Sequence, residues 1–374
     1  MKRNRVFILI PVLIILIVII AFYGSRLFQS KDSSVSSSNP KISKKNQISE
    51  KAQIYDKDLN MSVYLPYKGI SSYDSYGDHI FMSADDNSPS EMANKIFQYN
   101  RKTKKVEELF TTKFDSSSVQ GVKANNKWVT WVDSDDFGEQ KNIYIMNKKT
   151  KKIEPVTKEN EKSIKSGFPV LAENHLAWIY HDQNNNKSYV IIRDLKARRN
   201  KIIFNLNTHS LDNADLSIHD EKILFTDKRK GKSYLYVYDI SKQKLEKFQS
   251  PHKNIGWGEL LNDHQIVYLA FFSKSFADNK LVLYDTHTKK AKEFSSKYME
   301  VNRLQVDANN HVFVGTGGDN FFQTYLIDKE EIKKLGKINE KDVYSISANN
   351  GVYIMNIIKR NDEEKLIITT NLPK

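Results

Sequence analysis

The chain alternates short apolar runs with polar breaks rich in Asn, Asp, Gly and Lys. In one recurring phrase, an apolar run ends in Asn or Asp, a Lys-rich turn follows, and a second short apolar run begins. The anchor residues of this phrase are Asn100, Asn147, Asp194, Asp239, Asp285, Asp328 and Asn371. β-Branched and aromatic residues dominate the runs, as strands require. A repeat of roughly 45 residues built from strands predicts a β-propeller, in which each repeat forms one blade.

The second repeat contains the four strands expected of each blade. We place them at Val119–Ala124, Trp128–Trp131, Asn142–Met146 and Ile153–Val156. A turn between the first and second strands recurs with the same period at Asp78, Asn126, Asn174, Glu221, His264, Asn310 and Asn350. No stretch sustains the three- and four-residue apolar spacing of amphipathic helices, which argues against a helical solenoid.

The last repeat is cut short. Three strands are predicted after residue 342, but only Leu372–Lys374 follow Asn371, too few for a fourth strand. The missing outer strand is available at Met61–Leu65, ahead of the first full repeat. A propeller closes without an open edge, so we expect an all-β, seven-bladed β-propeller with a composite last blade. Ile54–Asp56 resembles a further strand, and the alternative is that both N-terminal strands join the closing blade.

The N-terminus has a different pattern, with no charged residue from Val6 to Ser25. A helix of this length, at about 1.5 Å per residue, spans the bilayer core. The basic residues within 1–5 predict that the N-terminus lies inside and the propeller outside the cell membrane. A cleaved signal peptide is the alternative, but the apolar run is long and lacks a small-x-small cleavage site. The predicted organisation is a cytoplasmic tip at 1–5, a single transmembrane anchor at 6–25, a flexible polar tether at 26–50 and the propeller at 51–374.

Composition and motifs favour a non-enzymatic protein. The chain has no cysteine, which excludes disulfides, a lipoprotein anchor and thiolate metal ligands. Its nine histidines form no His-Glu-x-x-His motif, and no Gly-x-Ser-x-Gly motif is present. Asp133–Gly138 begins like a calcium loop, but Tyr144 occupies the position of the bidentate Glu, so we expect a solvated acidic turn. We predict no catalytic residue, metal or cofactor, although paired carboxylates of a glycosidase cannot be recognised by spacing alone.

Charge is distributed unevenly along the repeats. Residues 1–50 carry +6 of the formal net charge of +13, and the turns at 100–105, 147–152 and 194–201 carry +4, +4 and +3. The turns between the second and third strands of the first two repeats are acidic, which predicts one basic and one acidic face. The predicted anionic-surface residues are Lys102, Lys104, Lys105, Lys148, Lys149, Lys151, Lys152, Arg198 and Arg199.

The closing strand relates this basic face to the tether. As an outer fourth strand it begins at the basic face, so we expect the tether to emerge there and to direct the lysines toward anionic lipid or a phosphate-rich envelope polymer. The alternative is that these lysines are solvated turn residues without a binding role. Nucleic acid is not an expected partner, because no aromatic residues are interleaved with the lysines.

The loops that lead into the first strands should surround the opposite mouth of the central channel. Counting back from the first turn of each repeat places there Tyr73, Gln120, Phe168, Asp215, Trp257, Arg303 and Tyr344. Aromatic, amide and charged groups together suit a partner-binding funnel, and the flanking Gly256 and Gly258 should leave the Trp257 indole exposed. The alternative is that several of these residues merely cover the channel.

The segment from Asn142 to Thr157 resembles the strand-turn-strand unit of TolB-like bacterial β-propellers, and Phe168–Trp178 is similar to their repeat opening. Pairs such as Asn309-Asn310 replace their usual Pro-Asp-Gly turn. The resemblance implies an extracytoplasmic binding platform and transfers no catalytic residue. We therefore expect a membrane-tethered propeller that binds or scaffolds a protein or a cell-envelope polymer. The alternative is a propeller hydrolase or lyase that acts on envelope carbohydrate.

Overall fold

Every regular element that the structure, a computed structural model, describes is a β-strand. The described residues are 54–57, 60–63, 67–85, 92–115, 117–135, 141–157, 168–182, 185–207, 216–272, 279–294, 301–307, 311–316, 322–328, 331–337, 343–349, 352–358 and 364–369. They belong to one unit, Glu50–Lys374. The predicted anchor and tether lie outside them, and within them no helix is long and apolar enough to cross a membrane.

The strands are numbered in chain order. Those of the N-terminus and the first three repeats are β1 (Ile54–Lys57), β2 (Asn60–Val63), β3 (Lys68–Tyr76), β4 (His79–Asp85), β5 (Lys95–Asn100), β6 (Val106–Thr111), β7 (Ser117–Ala124), β8 (Trp128–Asp135), β9 (Lys141–Asn147), β10 (Ile153–Pro155), β11 (Val170–Leu171), β12 (His175–Asp182), β13 (Lys187–Asp194) and β14 (Arg199–Leu206). Those of the remaining repeats are β15 (Leu216–His219), β16 (Lys222–Arg229), β17 (Lys232–Asp239), β18 (Lys244–Gln249), β19 (Ile255–Leu260), β20 (Gln265–Phe271), β21 (Asn279–Asp285), β22 (Lys290–Phe294), β23 (Val301–Val306), β24 (His311–Thr316), β25 (Phe322–Asp328), β26 (Glu331–Lys337), β27 (Val343–Asn349), β28 (Val352–Ile358) and β29 (Glu364–Thr369).

These strands form seven antiparallel sheets within the described ranges. Six sheets have four consecutive strands, from β3–β6 to β23–β26, and the seventh has the order β27-β28-β29-β2-β1. The four strands predicted for the second repeat are all present, as β7 to β10. The first strand of each sheet contacts the first strand of the next, and β27 contacts β3, so the sheets form a closed ring.

The ring has two faces, which we name by the connections they carry. The anchor-turn face carries the turns between first and second strands and between third and fourth strands. The entry face carries the remaining connections, including those that lead into each first strand. The three basic turns at 100–105, 147–152 and 194–201 therefore lie on the anchor-turn face.

Both N-terminal strands join the last sheet, which is the second of the two arrangements considered from the sequence. Asn60 of β2 lies opposite Thr369 of β29, and Ile54 of β1 lies opposite Val63 of β2. Because β1 runs antiparallel to β2, the chain enters β1 at the entry face. The sequence analysis expected the chain to arrive at the anchor-turn face. That expectation is wrong, because it considered only the fourth strand of the last sheet and not β1.

The repeated Asn or Asp is explained by the backbone of the hairpin that follows it. Asn147 Oδ1 accepts hydrogen bonds from Lys149 N and Thr150 N, both 3.0 Å long, and Asn147 N donates to Lys152 O. The same acceptor role is held by Asn100, Asp194, Asp239 and Asp285. The fourth residue after each of these anchors has a positive φ: Lys104, Lys151, Arg198, Gln243 and Lys289. A short side-chain acceptor at the anchor stabilises this turn, which is why the anchor recurs.

Aromatic side chains pack between neighbouring blades. Trp131 and Tyr144 of the second sheet stack with 6.0 Å between ring centroids, and Phe110 of the first sheet lies 5.1 Å from both rings. Phe225 and Tyr236 of the fourth sheet form the same cluster with Phe204 of the third sheet. Each such ring buries a large apolar area, so these clusters contribute strongly to the stability of the ring and fix the loops at its two faces.

Asp239 gives a test of the anchor turn. Partial burial alone would raise the pKa of Asp239, but hydrogen bonds from Lys242 N and Ser241 Oγ and the Lys242 ammonium lower it from 3.8 to about 2. A carboxyl whose pKa is lowered by folding stabilises the protein above its unfolded pKa, and this contribution is lost as the pH falls through the folded pKa.

We expect Asp239→Asn to keep the turn, because Asn serves as anchor in the first two repeats, and to flatten the loss of stability between about pH 4 and about pH 2. Asp239→Ala removes both the titrating group and the acceptor, so it should be less stable than Asp239→Asn by about 1 kcal/mol at every pH. Urea unfolding of both variants across this range measures the two effects. An Asn variant whose stability falls as steeply as that of the parent would contradict this account.

Candidate functional site

Ion pairs neutralise part of the predicted basic surface. Lys102 Nζ lies 2.8 Å from Asp78 Oδ2, and its hydrogen bond is the main cause that lowers the pKa of Asp78. Lys151 pairs with Glu107 at 3.0 Å. Glu154 lies 3.1 Å from Arg198 and 4.0 Å from Lys152. These carboxylates come from neighbouring strands and sheets, so the net charge of a turn overstates the charge that the turn presents to a partner.

Lys148 has a structural position between the first two sheets. Its ammonium donates to Asn125 O at 2.9 Å and lies 4.6 Å from the centroid of the Tyr76 ring. Burial, and then the nearby Lys151 ammonium, lower the pKa of Lys148. A half-buried cation held by a carbonyl and an aromatic face joins the two sheets and is poorly placed to meet a polymer.

The other basic residues of this set are exposed. Lys104 is exposed and occupies the left-handed position of its turn. Lys105, Lys149 and Arg199 are exposed and have no carboxylate partner among the residues that the structure describes. Of the nine predicted residues, these three combine exposure with the lack of a carboxylate partner within the described ranges.

The structure separates the residues of the predicted funnel. Tyr73 is 5% exposed and packs in the hydrophobic cluster that joins the first and last sheets, so it is a core residue and not a funnel residue. Asp215 lies outside the described residues. Arg303 and Tyr344 lie in β23 and β27, whose side chains at these positions are outside the description. Gln120, Phe168 and Trp257 remain partly or largely exposed.

Phe168 covers a bulge of β7 that follows Gln120. The register of β7 against β8 shifts between Gln120 and Lys123, and Gly121 within this bulge has φ +66°. Phe168 is 52% exposed, and its ring covers Gly121 so closely that a Cβ built on Gly121 would lie 2.4 Å from Phe168 Cδ1. An exposed aromatic ring that precedes the first strand of the third sheet therefore covers the first strand of the second sheet.

Trp257 lies in the corresponding bulge of β19, where the register shifts between Gly256 and Glu259. Its indole is only partly exposed and meets the Phe271 ring edge-to-face, with 5.6 Å between ring centroids. A Cβ at Gly256 would lie 3.1 Å from Phe271, and one at Gly258 would lie 3.2 Å from Leu224. The glycines therefore permit close packing of their neighbours, in contrast to the expectation that they leave the indole exposed.

Asp133 corrects another expectation. It was expected in a solvated acidic turn, but its side chain is fully buried and accepts hydrogen bonds from Thr112 Oγ1 at 2.6 Å and Lys113 N at 3.3 Å. Burial raises the pKa of Asp133. The carboxyl ties the end of the outer strand β6 to β8, which is a structural role.

A polar network around His252 was not anticipated from the sequence. His252 Nδ1 lies 2.9 Å from the Tyr268 hydroxyl, and Nε2 lies 3.0 Å from Glu293 Oε1. Glu293 also pairs with Lys280, and this hydrogen bond followed by that from His252 lowers the pKa of Glu293. Burial raises the pKa of Tyr268. His252 and Tyr268 are both buried, so they fasten the connection between the fourth and fifth sheets, whereas Lys280 is partly exposed and Glu293 is exposed. No signal in the sequence predicts this network, since its members are spread over four segments.

Nothing in the described part of the chain brings three or more His, Asp or Glu side chains into an arrangement that could hold a metal ion.

The exposed large apolar side chains of the described ranges are Met92, Phe168, Ile202 and Phe272. Phe272 adjoins the His252 network, with 5.8 Å between the two ring centroids and the Lys280 ammonium 5.0 Å from the Phe272 centroid. The sequence analysis did not single out Phe272, although its place at the end of a strand pointed to the entry face.

No protein-family model and no curated protein sequence matches the chain. An oligogalacturonate lyase in complex with manganese matches with a TM-score of 0.61 and 11% identity, covering 86% of this chain and 96% of that chain. The β-propeller domain of the Trilobed protease from Pyrococcus furiosus matches with a TM-score of 0.60 and 12% identity, covering 82% of this chain and 95% of that chain. TolB from Acinetobacter baumannii matches with a TM-score of 0.45 and 10% identity, covering 79% and 78%.

The first two likenesses show that the chain has an all-β fold of the β-propeller type, as its repeat predicted. The expected loose resemblance to bacterial β-propellers is thus confirmed at the level of the fold. At these identities the likeness concerns the fold and carries no activity from one protein to another.

Gly121 gives a test of the bulge. We expect Gly121→Ala to destabilise the fold by more than about 1 kcal/mol, because a Cβ is strained at positive φ and also meets the Phe168 ring. Gly77→Ala is the matched control, since Gly77 has φ +59° and open space around it, so only the backbone strain applies. Chemical unfolding of both variants separates the two causes. Equal losses would show that Phe168 does not cover the bulge.

Proposed function

We propose that the chain is a membrane-tethered, extracytoplasmic, seven-bladed β-propeller that acts as a non-enzymatic binding or scaffold module for a protein or a cell-envelope polymer. The closed ring of seven sheets supports the blade count. The uncharged run at 6–25 with its basic flank supports a single transmembrane helix with the N-terminus inside.

The observation that carries this proposal is the position of the exposed apolar side chains. Of the four large ones in the described ranges, three lie at the entry face: Met92 precedes β5, Phe168 precedes β11, and Phe272 follows β20. Single exposed apolar residues are ordinary, but three of these four share one face of the ring, and on that ground we place the binding surface there. The chain also enters the ring at this face.

The absence of cysteine allows a direct test of topology and binding together. We expect Phe272→Cys and Lys290→Cys both to react with a membrane-impermeant maleimide in intact cells, because both positions are exposed and the propeller is outside. A photo-crosslinker attached at position 272 should capture a partner that the same reagent at position 290, on the anchor-turn face, does not capture. Mass spectrometry identifies the product.

Two outcomes would contradict the proposal. Cysteines that stay protected until the membrane is broken would refute the extracytoplasmic location. Equal capture from both positions would refute a binding surface at the entry face. Turnover of envelope carbohydrate by the purified protein would instead favour the alternative function, a propeller hydrolase or lyase.

We also propose a second surface, formed by Lys105, Lys149 and Arg199 on the anchor-turn face, for an anionic envelope polymer. These three side chains are exposed and have no carboxylate partner within the described ranges. Attraction between exposed charges is screened over about 8 Å at physiological salt, so this binding is salt-sensitive.

We expect the protein to bind a poly(glycerol phosphate) polymer at low salt and to lose this affinity as salt rises. Reversal of Lys105, Lys149 and Arg199 to Glu should weaken binding by more than about 100-fold, since each cation near an anionic surface contributes about 1 kcal/mol. The control reverses Lys230, Lys232 and Lys253, which are exposed at the entry face and change the net charge equally. Equal effects of the two triple variants would show that only net charge matters and would refute the assigned surface.

A further inference from the structure

The first strands of five sheets share a register irregularity against their second strands, in β3, β7, β19, β23 and β27. In β3 and β7 the irregular segment begins with a glycine of positive φ, Gly69 at +59° and Gly121 at +66°. Glycine adopts this left-handed conformation without strain and is the ordinary residue of such a bulge. In β19 the same position is occupied by Trp257, with φ +46°.

A bulky aromatic residue in the left-handed region is a conformational outlier that costs stability. Strained residues of this kind are concentrated at ligand-binding positions, where the surrounding structure holds them. The surroundings of Trp257 fit that pattern. Phe271 contacts the indole edge-to-face, and Gly256 and Gly258 allow Phe271 and Leu224 to approach closely. The bulge thus holds a partly exposed indole in one orientation on the innermost strand of its sheet.

Uncharged polar side chains and one exposed aromatic ring lie in or just before the first strands of the first three sheets. Ser71 is exposed, and its hydroxyl lies within hydrogen-bond distance of Ser83 Oγ and Val119 O. Gln120 is partly exposed, and its amide donates to Ser118 Oγ. Phe168 covers the adjacent Gly121. Hydroxyl and amide groups beside aromatic rings recognise a ligand that presents both hydroxyl groups and an apolar ring face.

Resting on the proposed function, we infer that the entry-face mouth binds a neutral saccharide chain, with a sugar ring stacked on Trp257 and sugar hydroxyls hydrogen-bonded near Gln120. A protein partner of standard size needs a contiguous interface of about 800 Å² on each side with an apolar centre. The exposed apolar side chains of the entry face lie singly on the first, third and fifth sheets. Separate aromatic contacts along a ring suit an extended polymer of sugars better than a continuous protein surface.

The test uses the full-length protein in detergent micelles and a neutral hexasaccharide of β-1,4-linked N-acetylglucosamine. Calorimetry and tryptophan fluorescence should show saturable binding that does not change with salt, because the ligand carries no charge. Trp257→Gly should weaken binding at least about tenfold. Glycine fits the backbone at this position, but the variant also loses the packing of the indole against Phe271, so its thermal unfolding midpoint is measured alongside binding. Trp257→Tyr should keep most of the affinity, and Trp128→Phe, on the anchor-turn face, is the matched control.

Each outcome decides the inference. A Trp257→Gly variant that binds like the parent overturns it, as does a parent that does not bind the hexasaccharide. If Trp257→Gly unfolds at a much lower temperature, Gln120→Ala replaces it, because Gln120 is partly exposed and is the residue placed near the sugar hydroxyls. Unchanged binding by Gln120→Ala would then overturn the site. If the crosslinker at position 272 captures a protein while the hexasaccharide does not bind, the saccharide inference fails and the proposed binding platform stands.

Discussion

The ring depends on the hydrogen bonds between β2 and β29. Without β2, the last sheet would end at β29 and expose a row of unpaired backbone groups, and an open edge of this kind pairs readily with other chains. The pairing of Asn60–Val63 with Leu366–Thr369 joins strands that are about 300 residues apart in the sequence. The remaining six sheets form from consecutive strands, so this pairing and the packing of β27 against β3 are the long-range contacts that join the two ends of the propeller.

The same pairing gives the two faces their different roles. Because β1 folds back on β2, the chain enters at the entry face, where Met92, Phe168 and Phe272 are exposed. The anchor-turn face instead carries hairpins with a fixed backbone, in which Asn or Asp accepts hydrogen bonds and the fourth following residue is left-handed. Lys occupies that left-handed position in three of the five described turns. Some lysines of these turns therefore occupy a position required by the backbone conformation. Only the lysine and arginine side chains that are exposed and lack a carboxylate partner within the described ranges are candidates for binding a partner.

Local patterns predicted the fold well. The alternation of apolar residues located β7 to β10, and the recurring anchor located the hairpins. Both predictions succeeded because each signal is contained in a few consecutive residues. The arrangement of the site depended on contacts that the local pattern does not contain. Tyr73 was placed at the channel mouth by counting back from a turn, but the irregular register of β3 brings it into the core. The pairing of Lys151 with Glu107 joins residues of different sheets, so the charge of the turn alone could not reveal it.

Amide hydrogen exchange of the full-length protein tests ring closure most directly. β29 is a paired inner strand in this account, so a peptide covering 364–369 should exchange as slowly as those covering the third strands β9 and β21. Deletion of 54–63 should accelerate exchange in 364–369 before it affects the distant β9. Rapid exchange of 364–369 in the intact protein, like that of an unpaired edge strand, would contradict closure by the N-terminal strands.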